Sequence, residues 1–238
     1  MAAYISFQPS DFFNTVLYSA GTAPLAITGV GFQPDITWIK SRSYGDNQNL
    51  FDSVRGATEI LYTNNNNVVD TQAQSLQSWQ SDGFTVGSRN DTNRSGQTFV
   101  SWNWKGGTTS GITTNGSTTI TPSAYSFNQT ARISILKYTG NTVAGAKLAH
   151  GLGVAPDFTI FKSTANATAW NSYHTGTYAA IPDEYSLCLS SSAAKDGDTK
   201  FWNDTVPDSV NITLGNGADA NPSALCVAYC FASVQGFS

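Results

Sequence analysis

The chain has 238 residues, a length that suits one large domain or two small ones. Hydrophobic residues make up 40% of it, so it is not a disordered segment, whereas charged residues make up only 12%, about half the usual share. The net charge of −4 argues against nucleic acid as a partner, because phosphate neutralisation requires clustered Lys and Arg.

Neither a targeting segment nor a membrane span is predicted. The first six residues contain no basic stretch and no apolar run of the kind found in signal peptides, and no segment approaches the ~20 continuous apolar residues of a membrane helix. Cys226 and Cys230 would lie roughly 13 Å apart on one strand, too far for a disulfide. Cys188 could alternatively pair with one of them, but we expect all three cysteines to be free, buried thiols, and we expect synthesis in a reducing cytoplasm.

A twelve-residue motif occurs twice, at residues 29–40 and 151–162, with six identical positions. Each copy has two glycines, a proline and an aspartate before an apolar run: Gly29, Gly31, Pro34 and Asp35 in the first copy, and Gly151, Gly153, Pro156 and Asp157 in the second. Proline restricts its own φ and the preceding residue, the aspartate can accept hydrogen bonds from turn amides, and the glycines allow unusual backbone angles. The motif predicts a structural turn at the entry to a strand.

The parallel between the two halves extends beyond this motif. The pair Gly87 and Asn93 corresponds to Gly215 and Asn221, and both halves close on an alternating strand, residues 99–104 and 227–231. We therefore predict two tandem units, residues 1–105 and 131–238, joined by a Gly/Thr/Ser-rich connector over 106–130. Within the connector, residues 117–121 are alternatively an edge strand that joins the two units.

The local patterns predict an all-β fold made of two internally duplicated β-sandwich units. Residues 36–40 and 158–162 are short runs rich in β-branched and aromatic residues, and residues 133–138 alternate as a half-buried strand does. Gly and Asn recur about every ten residues, which favours sandwiches over βαβ units. Only residues 70–79 favour a helical turn or two.

Residues 29–42 resemble a family of uncharacterised repeated β domains in bacteriophage tail-fibre and other virion structural proteins, many of them from phages of aquatic bacteria, including cyanophages. Residues 52–56, 83–87, 99–105 and 150–153 match the same family in the same order. The resemblance implies lectin-like or jelly-roll-like sandwiches and carries over no catalytic residue. The second unit departs from the pattern, because residues 171–176 replace the Asp-x-x-Arg-Gly motif of residues 52–56.

Four side chains are candidate contacts to a ligand or a neighbouring subunit: Asp52, Arg55, Trp79 and Trp170. Asp52 and Arg55 alternatively pair with each other across a turn. Trp170 lies in a polar stretch and is the best candidate for an exposed ring that stacks on a sugar. Trp102 and Trp104 share strand parity, which favours packing of both in the core.

No catalytic, metal or cofactor site is predicted. Residues 90–93 and 196–198 are rich in oxygen ligands but lack the twelve-residue spacing of a calcium loop. His150 and His174 are the only histidines, so neither a metal cluster nor a Ser-His-Asp arrangement can be assembled, and no carboxylate pair stands out. We therefore expect a protein that is not an enzyme.

These observations lead to the hypothesis of a bacteriophage virion structural protein on the particle surface, acting as a tail-fibre or host-attachment component. A capsid decoration (cement) protein is the alternative, and a carbohydrate-active depolymerase ranks third. The expected location is the virion, after synthesis in the host cytoplasm. The expected partners are other virion proteins, further copies of the chain, which would form an oligomer, and host surface glycans, with no insertion into a membrane.

Overall fold

The computed structural model describes residues 7–177, 184–194 and 196–237. The chain divides into two compact units. The first contains the residues up to Asn64, then Val69–Gly106 and Gln235–Phe237, and the second contains Asn65–Val68 and Gly107–Val234. Each unit therefore includes a short piece of chain from the other half of the sequence.

The described part of the first unit contains nine strands and two short helical turns. The turns are Pro9–Asp11 and α1 (Asn90–Asn93). The strands are β1 (Phe13–Ser19), β2 (Leu25–Ile27), β3 (Ile36–Ser41), β4 (Asn49–Asp52), β5 (Gly56–Tyr62), β6 (Asp70–Thr71), β7 (Leu76–Gln80), β8 (Gly83–Val86) and β9 (Thr98–Trp104). They form a large antiparallel sheet in the order β1-β9-β3-β4-β5-β6 and a small one in the order β2-β8-β7.

The core of the first unit lies between these two sheets. Ile39, Phe51 and Phe99 of the large sheet and Leu76 and Phe84 of the small sheet belong to one buried cluster. Because side chains alternate along a strand, one face of each sheet supplies this core, as in a β-sandwich.

Trp102 and Trp104 lie on one face of β9, but on the face opposite to Phe99 and the core cluster. The ring of Trp102 packs against Trp38, with centroids 5.9 Å apart. Neither tryptophan belongs to this core cluster, and both are half-buried on the other face. Strand parity reports that two side chains share a face, and it does not report which face is turned to the core.

Nine further strands and one helical turn form the described part of the second unit. They are β10 (Ala124–Asn128), β11 (Ile133–Thr139), β12 (Ala146–Ala149), β13 (Phe158–Ser163), β14 (Asn171–His174), β15 (Tyr185–Cys188), β16 (Asp196–Gly197), α2 (Thr199–Trp202), β17 (Asn211–Leu214) and β18 (Leu225–Phe231). The large sheet has the order β10-β11-β18-β13-β14-β15-β16, and β12 pairs with β17. Among the described residues of the whole chain, no helix is long and apolar enough to cross a membrane.

The second core also lies between a large and a small sheet. Tyr138 and Phe161 of the large sheet, Leu148 and Ile212 of the small sheet, and Trp202 of α2 belong to one buried cluster. The rings of Phe161 and Trp202 lie 5.2 Å apart. The fold is therefore all-β, with a sandwich in each unit, as the sequence predicts.

Two local expectations differ from the structure. Residues 70–79 form strands β6 and β7 instead of a helical turn, because Leu76 is fully buried in the core and β7 pairs with β8. Residues 107–130, expected as a connector, lie in the second unit, and the edge strand there is Ala124–Asn128, which pairs with β11. Within residues 117–121, only an isolated bridge from Ile120 to Leu148 occurs.

The two units have the same strand order. The sequence β1-β9-β3-β4-β5-β6 in the first corresponds to β11-β18-β13-β14-β15-β16 in the second. The register also agrees, because Ile36 lies opposite Trp104 and Phe158 lies opposite Phe231. Strand β10 extends the second sheet beyond β11, whereas among the described residues β1 pairs only with β9.

The two units also share a buried asparagine. Asn93 donates its side-chain amide to the carbonyl of Gly87 at 2.8 Å, and Asn221 donates to that of Gly215 at 2.7 Å. A Cβ atom at Gly87 or Gly215 would lie 2.6 Å or 2.2 Å from a backbone carbonyl oxygen, so only glycine fits at either position. In both units this asparagine fixes the chain that precedes the last strand.

The paired glycines of the repeated motif adopt left-handed backbone angles. The φ angles of Gly29 and Gly31 are 85° and 87°, and those of Gly151 and Gly153 are 78° and 73°. In the first unit, the amides of Gly29 and Gly31 donate to the carboxylate of Asp82 at 3.0 and 2.6 Å. The motif there forms a turn that is held by a side chain from the connection between β7 and β8.

Strand entry after the motif is also the same in both units. The amide of Asp35 donates to the carbonyl of Trp104 at 2.8 Å, and that of Asp157 donates to Phe231 at 2.9 Å. Each aspartate then accepts a backbone amide just beyond the last strand, from Gly106 at 2.9 Å and from Ser233 at 2.7 Å.

Candidate functional site

Asp52 and Arg55 form a buried ion pair at the turn between β4 and β5. Arg55 Nε lies 2.5 Å from Asp52 Oδ2, and the side chains are only 3% and 0% exposed. The guanidinium also donates to the carbonyls of Glu59 and Leu50 at 2.9 and 3.0 Å. The two candidate residues therefore hold the hairpin together, and neither presents its charge at the surface for a ligand.

The two candidate tryptophans are not exposed platforms either. Trp170 is fully buried, and its indole N–H donates to the carbonyl of Asn65 at 3.1 Å. Its polar neighbour Asn171 is itself buried in β14, which explains why a polar sequence context does not predict exposure here. Trp79 is half-buried and packs against the first core.

Lys162 is a buried cation that the sequence analysis did not single out. Its ammonium donates to the carbonyls of Ser163, Asn166 and Asn66 at 2.9, 3.2 and 3.3 Å, and its side chain is fully buried. All three acceptors are uncharged, and burial lowers the pKa of Lys162 to about 8. Its position as the last residue of the repeated motif was the one available signal.

We expect the stability of the protein to rise from pH 7 to pH 10 relative to the Lys162→Met variant, by about 2–3 kcal/mol. The folded pKa lies below the ordinary value of 10.5, so in this window the unfolded chain binds more protons and raising the pH favours the folded state. Urea denaturation of both proteins at several pH values measures the difference. If the difference in the free energy of unfolding between the two proteins did not change with pH, the lowered pKa of Lys162 would be contradicted.

His150 serves the turn that precedes Gly151. Its Nδ1 accepts the amide of Leu152 at 3.2 Å, so the neutral ring carries its proton on Nε2, which donates to the carbonyl of Asp208 at 3.0 Å. Burial lowers the pKa of His150, which keeps the ring neutral. Both ring nitrogens are thus engaged with the backbone.

The two oxygen-rich segments are occupied by internal contacts. Lys200 Nζ lies 3.2 and 3.3 Å from the carboxylates of Asp196 and Asp198. In the other segment, Arg89 Nε lies 2.9 Å from Asp91 Oδ2, and the Asn93 amide binds backbone. The part of the chain that the structure describes contains no group of three side chains suited to a metal ion.

An exposed aromatic ring occurs where the sequence analysis did not place one, in the loop between β3 and β4 (residues 42–48, the β3–β4 loop). Tyr44 is 52% exposed, and the guanidinium carbon of Arg94 lies 4.1 Å from the centre of its ring. The same guanidinium forms a bidentate pair with Asp46, with distances of 2.9 and 2.7 Å. Tyr44, Asp46 and Arg94, here called the tyrosine site, form one contiguous contact group.

Exposed amides continue the polar surface of the β3–β4 loop. Asn64 accepts the backbone amide of Gln48 at 2.9 Å and donates its side-chain amide to Asn47 at 3.0 Å. Asn47 and Asn64 are both exposed. These side chains offer donors and acceptors together, which is the pattern that hydroxyl groups match.

A second ionic network lies next to α1. Arg89 donates to the hydroxyl of Tyr62 at 2.7 Å, and Tyr62 donates to Asp70 at 2.7 Å. Burial raises the pKa of Asp91, although its bond from Arg89 opposes that shift. Burial also opposes ionisation of Asp70, but hydrogen bonds from Tyr62 and Gln72 outweigh it and lower the pKa of Asp70. The network fixes α1 against β5, and its one cation, Arg89, pairs with two carboxylates.

The fold and these side chains define an all-β protein with two sandwich units and one exposed tyrosine site. The chain belongs to the family described as domain of unknown function DUF7483, whose model matches residues 8–238. The match includes both units. No curated protein and no solved structure matches the chain.

Proposed function

We propose that this protein is a non-enzymatic structural protein on the surface of a bacteriophage particle, where it acts as a tail-fibre or host-attachment component. The observation that carries the attachment role is the tyrosine site, an exposed ring held by an ion pair in an otherwise charge-poor chain. The resemblance of residues 29–42 and of the later motifs to virion proteins supports the particle surface as its location.

We also propose that the two units are copies of one duplicated sandwich. The shared strand order and register support this, and so do the equivalent hydrogen bonds of Asn93 and Asn221. Duplication lets the copies diverge, and the loops that follow the motif have diverged. The β3–β4 loop contains Tyr44 and Asp46, whereas the equivalent loop of the second unit, residues 164–170, contains no tyrosine and no charged residue.

The composition of the β3–β4 loop supports recognition as its role. It reads Arg-Ser-Tyr-Gly-Asp-Asn-Gln. Tyr, Ser, Gly and Asn dominate binding loops in antibodies, because tyrosine supplies rigid contact area and the small polar residues supply adaptable hydrogen bonds. Charged residues are few in the chain as a whole. Its contacts to other virion proteins or to further copies therefore rest on buried apolar area and on hydrogen bonds between uncharged groups.

The test is immunogold labelling of particles of the phage that encodes this chain, with antibodies against the purified protein. We expect gold at the tail. Even labelling of the capsid would replace the attachment role by decoration, and unlabelled particles would contradict a virion protein altogether. Release of reducing ends from host polysaccharide by the purified protein would contradict a non-enzymatic role.

A further inference from the structure

We propose that the tyrosine site binds an uncharged sugar residue, with the ring of Tyr44 stacked on the sugar and the Arg94–Asp46 pair bonded to its hydroxyl groups. This inference rests on the proposed attachment function and names the class of ligand. Its evidence is the exposure of the ring, the rigidity of its support and the balance of charge around it.

The ring of Tyr44 is exposed in a way that suits stacking. The guanidinium of Arg94 covers the ring at 4.1 Å from its centre, yet 52% of the residue remains accessible. The residue therefore stays accessible although the guanidinium lies over one side of its ring. An aromatic ring with a polar tip binds ligands that combine apolar faces with hydroxyl groups, and a pyranose ring has both.

The support of the ring is rigid before any ligand binds. The amide of Tyr44 donates to Ser41 Oγ at 3.1 Å, and the amide of Arg42 donates to the carbonyl of Thr98 at 2.8 Å. Thr98 returns a bond from its own amide to Ser43 Oγ at 2.9 Å. The start of the β3–β4 loop is thus bonded to the first residue of β9 through both Arg42 and Ser43. A preorganised site loses less entropy on binding, so a small contact area can suffice.

The ion pair at the ring favours an uncharged ligand. Asp46 compensates Arg94 through two hydrogen bonds, which use two of the five guanidinium donors. The neighbouring Arg89 is compensated by Asp91 and Asp70. Asp46 would repel a phosphate or a carboxylate, and Arg94 would repel an amine. A hydroxyl group, in contrast, can donate a hydrogen bond to Asp46 and accept one from Arg94.

The experiment is a titration of the isotope-labelled full chain with methyl glycosides of glucose, galactose, mannose and N-acetylglucosamine, followed by amide NMR shifts. Glucuronate and sialic acid serve as charged counterparts. We expect at least one neutral glycoside to shift the amides of residues 43–46. We expect Tyr44→Ala to weaken that binding by roughly tenfold or more, and Tyr44→Phe to weaken it less, because the ring is kept.

Leu17→Ala is the matched control, since Leu17 is 61% exposed in the same unit and lies outside the loop. The Leu17→Ala variant should bind the glycoside as strongly as the unmodified protein does, and every variant should have the melting temperature of the unmodified protein. Binding of the charged sugars alone, equal binding by Tyr44→Ala, an equal loss in Leu17→Ala or no binding of any glycoside would overturn the proposal. If immunogold labelling placed the protein at the tail but the titration gave one of these results, the sugar site would be wrong and the attachment function would still be supported.

Discussion

Replacing Asp52 by Ala is expected to lower the free energy of unfolding of the first unit by about 3–5 kcal/mol. The change removes the carboxylate that lies 2.5 Å from Arg55 Nε and leaves a guanidinium that is only 3% exposed without this counter-charge. Breaking one side of a buried ion pair is costly because the remaining charge stays out of water. Urea denaturation together with hydrogen exchange of the β4 and β5 amides measures the loss.

The control is the double variant Asp52→Ala/Arg55→Met, which removes both charges. It should be more stable than Asp52→Ala alone, because it removes both members of the buried pair and leaves neither charge behind. Exchange rates in β13 and β18 of the second unit, which lacks the motif, should stay unchanged. If the double variant were as unstable as the single one, the loss would come from packing and not from the unpaired charge.

Replacing Asn93 or Asn221 by Ala should cost about 3–5 kcal/mol in each case, measured by urea denaturation. Each side chain makes three hydrogen bonds to the backbone, and both are buried. Alanine removes all three bonds, and the carbonyl of Gly87 or Gly215 then loses its donor in a place that water does not reach. The two losses should be similar because each side chain accepts one backbone amide and donates to two backbone carbonyls.

Asn216 provides the matched control, because it is exposed and lies five residues before Asn221. Its replacement by Ala should change the stability by less than about 0.5 kcal/mol. A loss below about 1 kcal/mol for Asn93→Ala or Asn221→Ala would show that these clusters do not hold the last strand of each sandwich.

The strands of the core could be predicted from the sequence because their signal is local. Short runs rich in β-branched and aromatic residues occur in β3 and β13, an alternating pattern occurs in β11, and the structure places strands at all three. Residues 70–79 were misassigned because their Gln-rich composition carries no clear period. The burial of Leu76 between two sheets decides their conformation, and that contact is not visible in a short window.

The candidate site was harder to predict because its parts lie far apart along the chain. Tyr44 is supported by Arg94, fifty residues away, and Trp170 is buried with the carbonyl of Asn65, more than a hundred residues away. The sequence next to Tyr44 or Trp170 gives no indication of these distant partners. Asp52 and Arg55 are three residues apart, and so their mutual pairing could be weighed from the sequence in advance.

The exchange of short segments between the two units affects how the polypeptide matures. Phe237 packs on Phe7 in the first unit, with ring centroids 5.4 Å apart, and Asn65–Val68 belong to the second. During synthesis, the first sandwich gains Phe237 only after residues 107–234 of the second unit have been made. A gene fragment that ends at Gly106 lacks this ring. One that begins at Gly107 lacks the carbonyl of Asn65 that binds Trp170 and that of Asn66, one of the three that bind Lys162. Residues 7–106 therefore lack part of the first unit, and residues 107–237 lack part of the second.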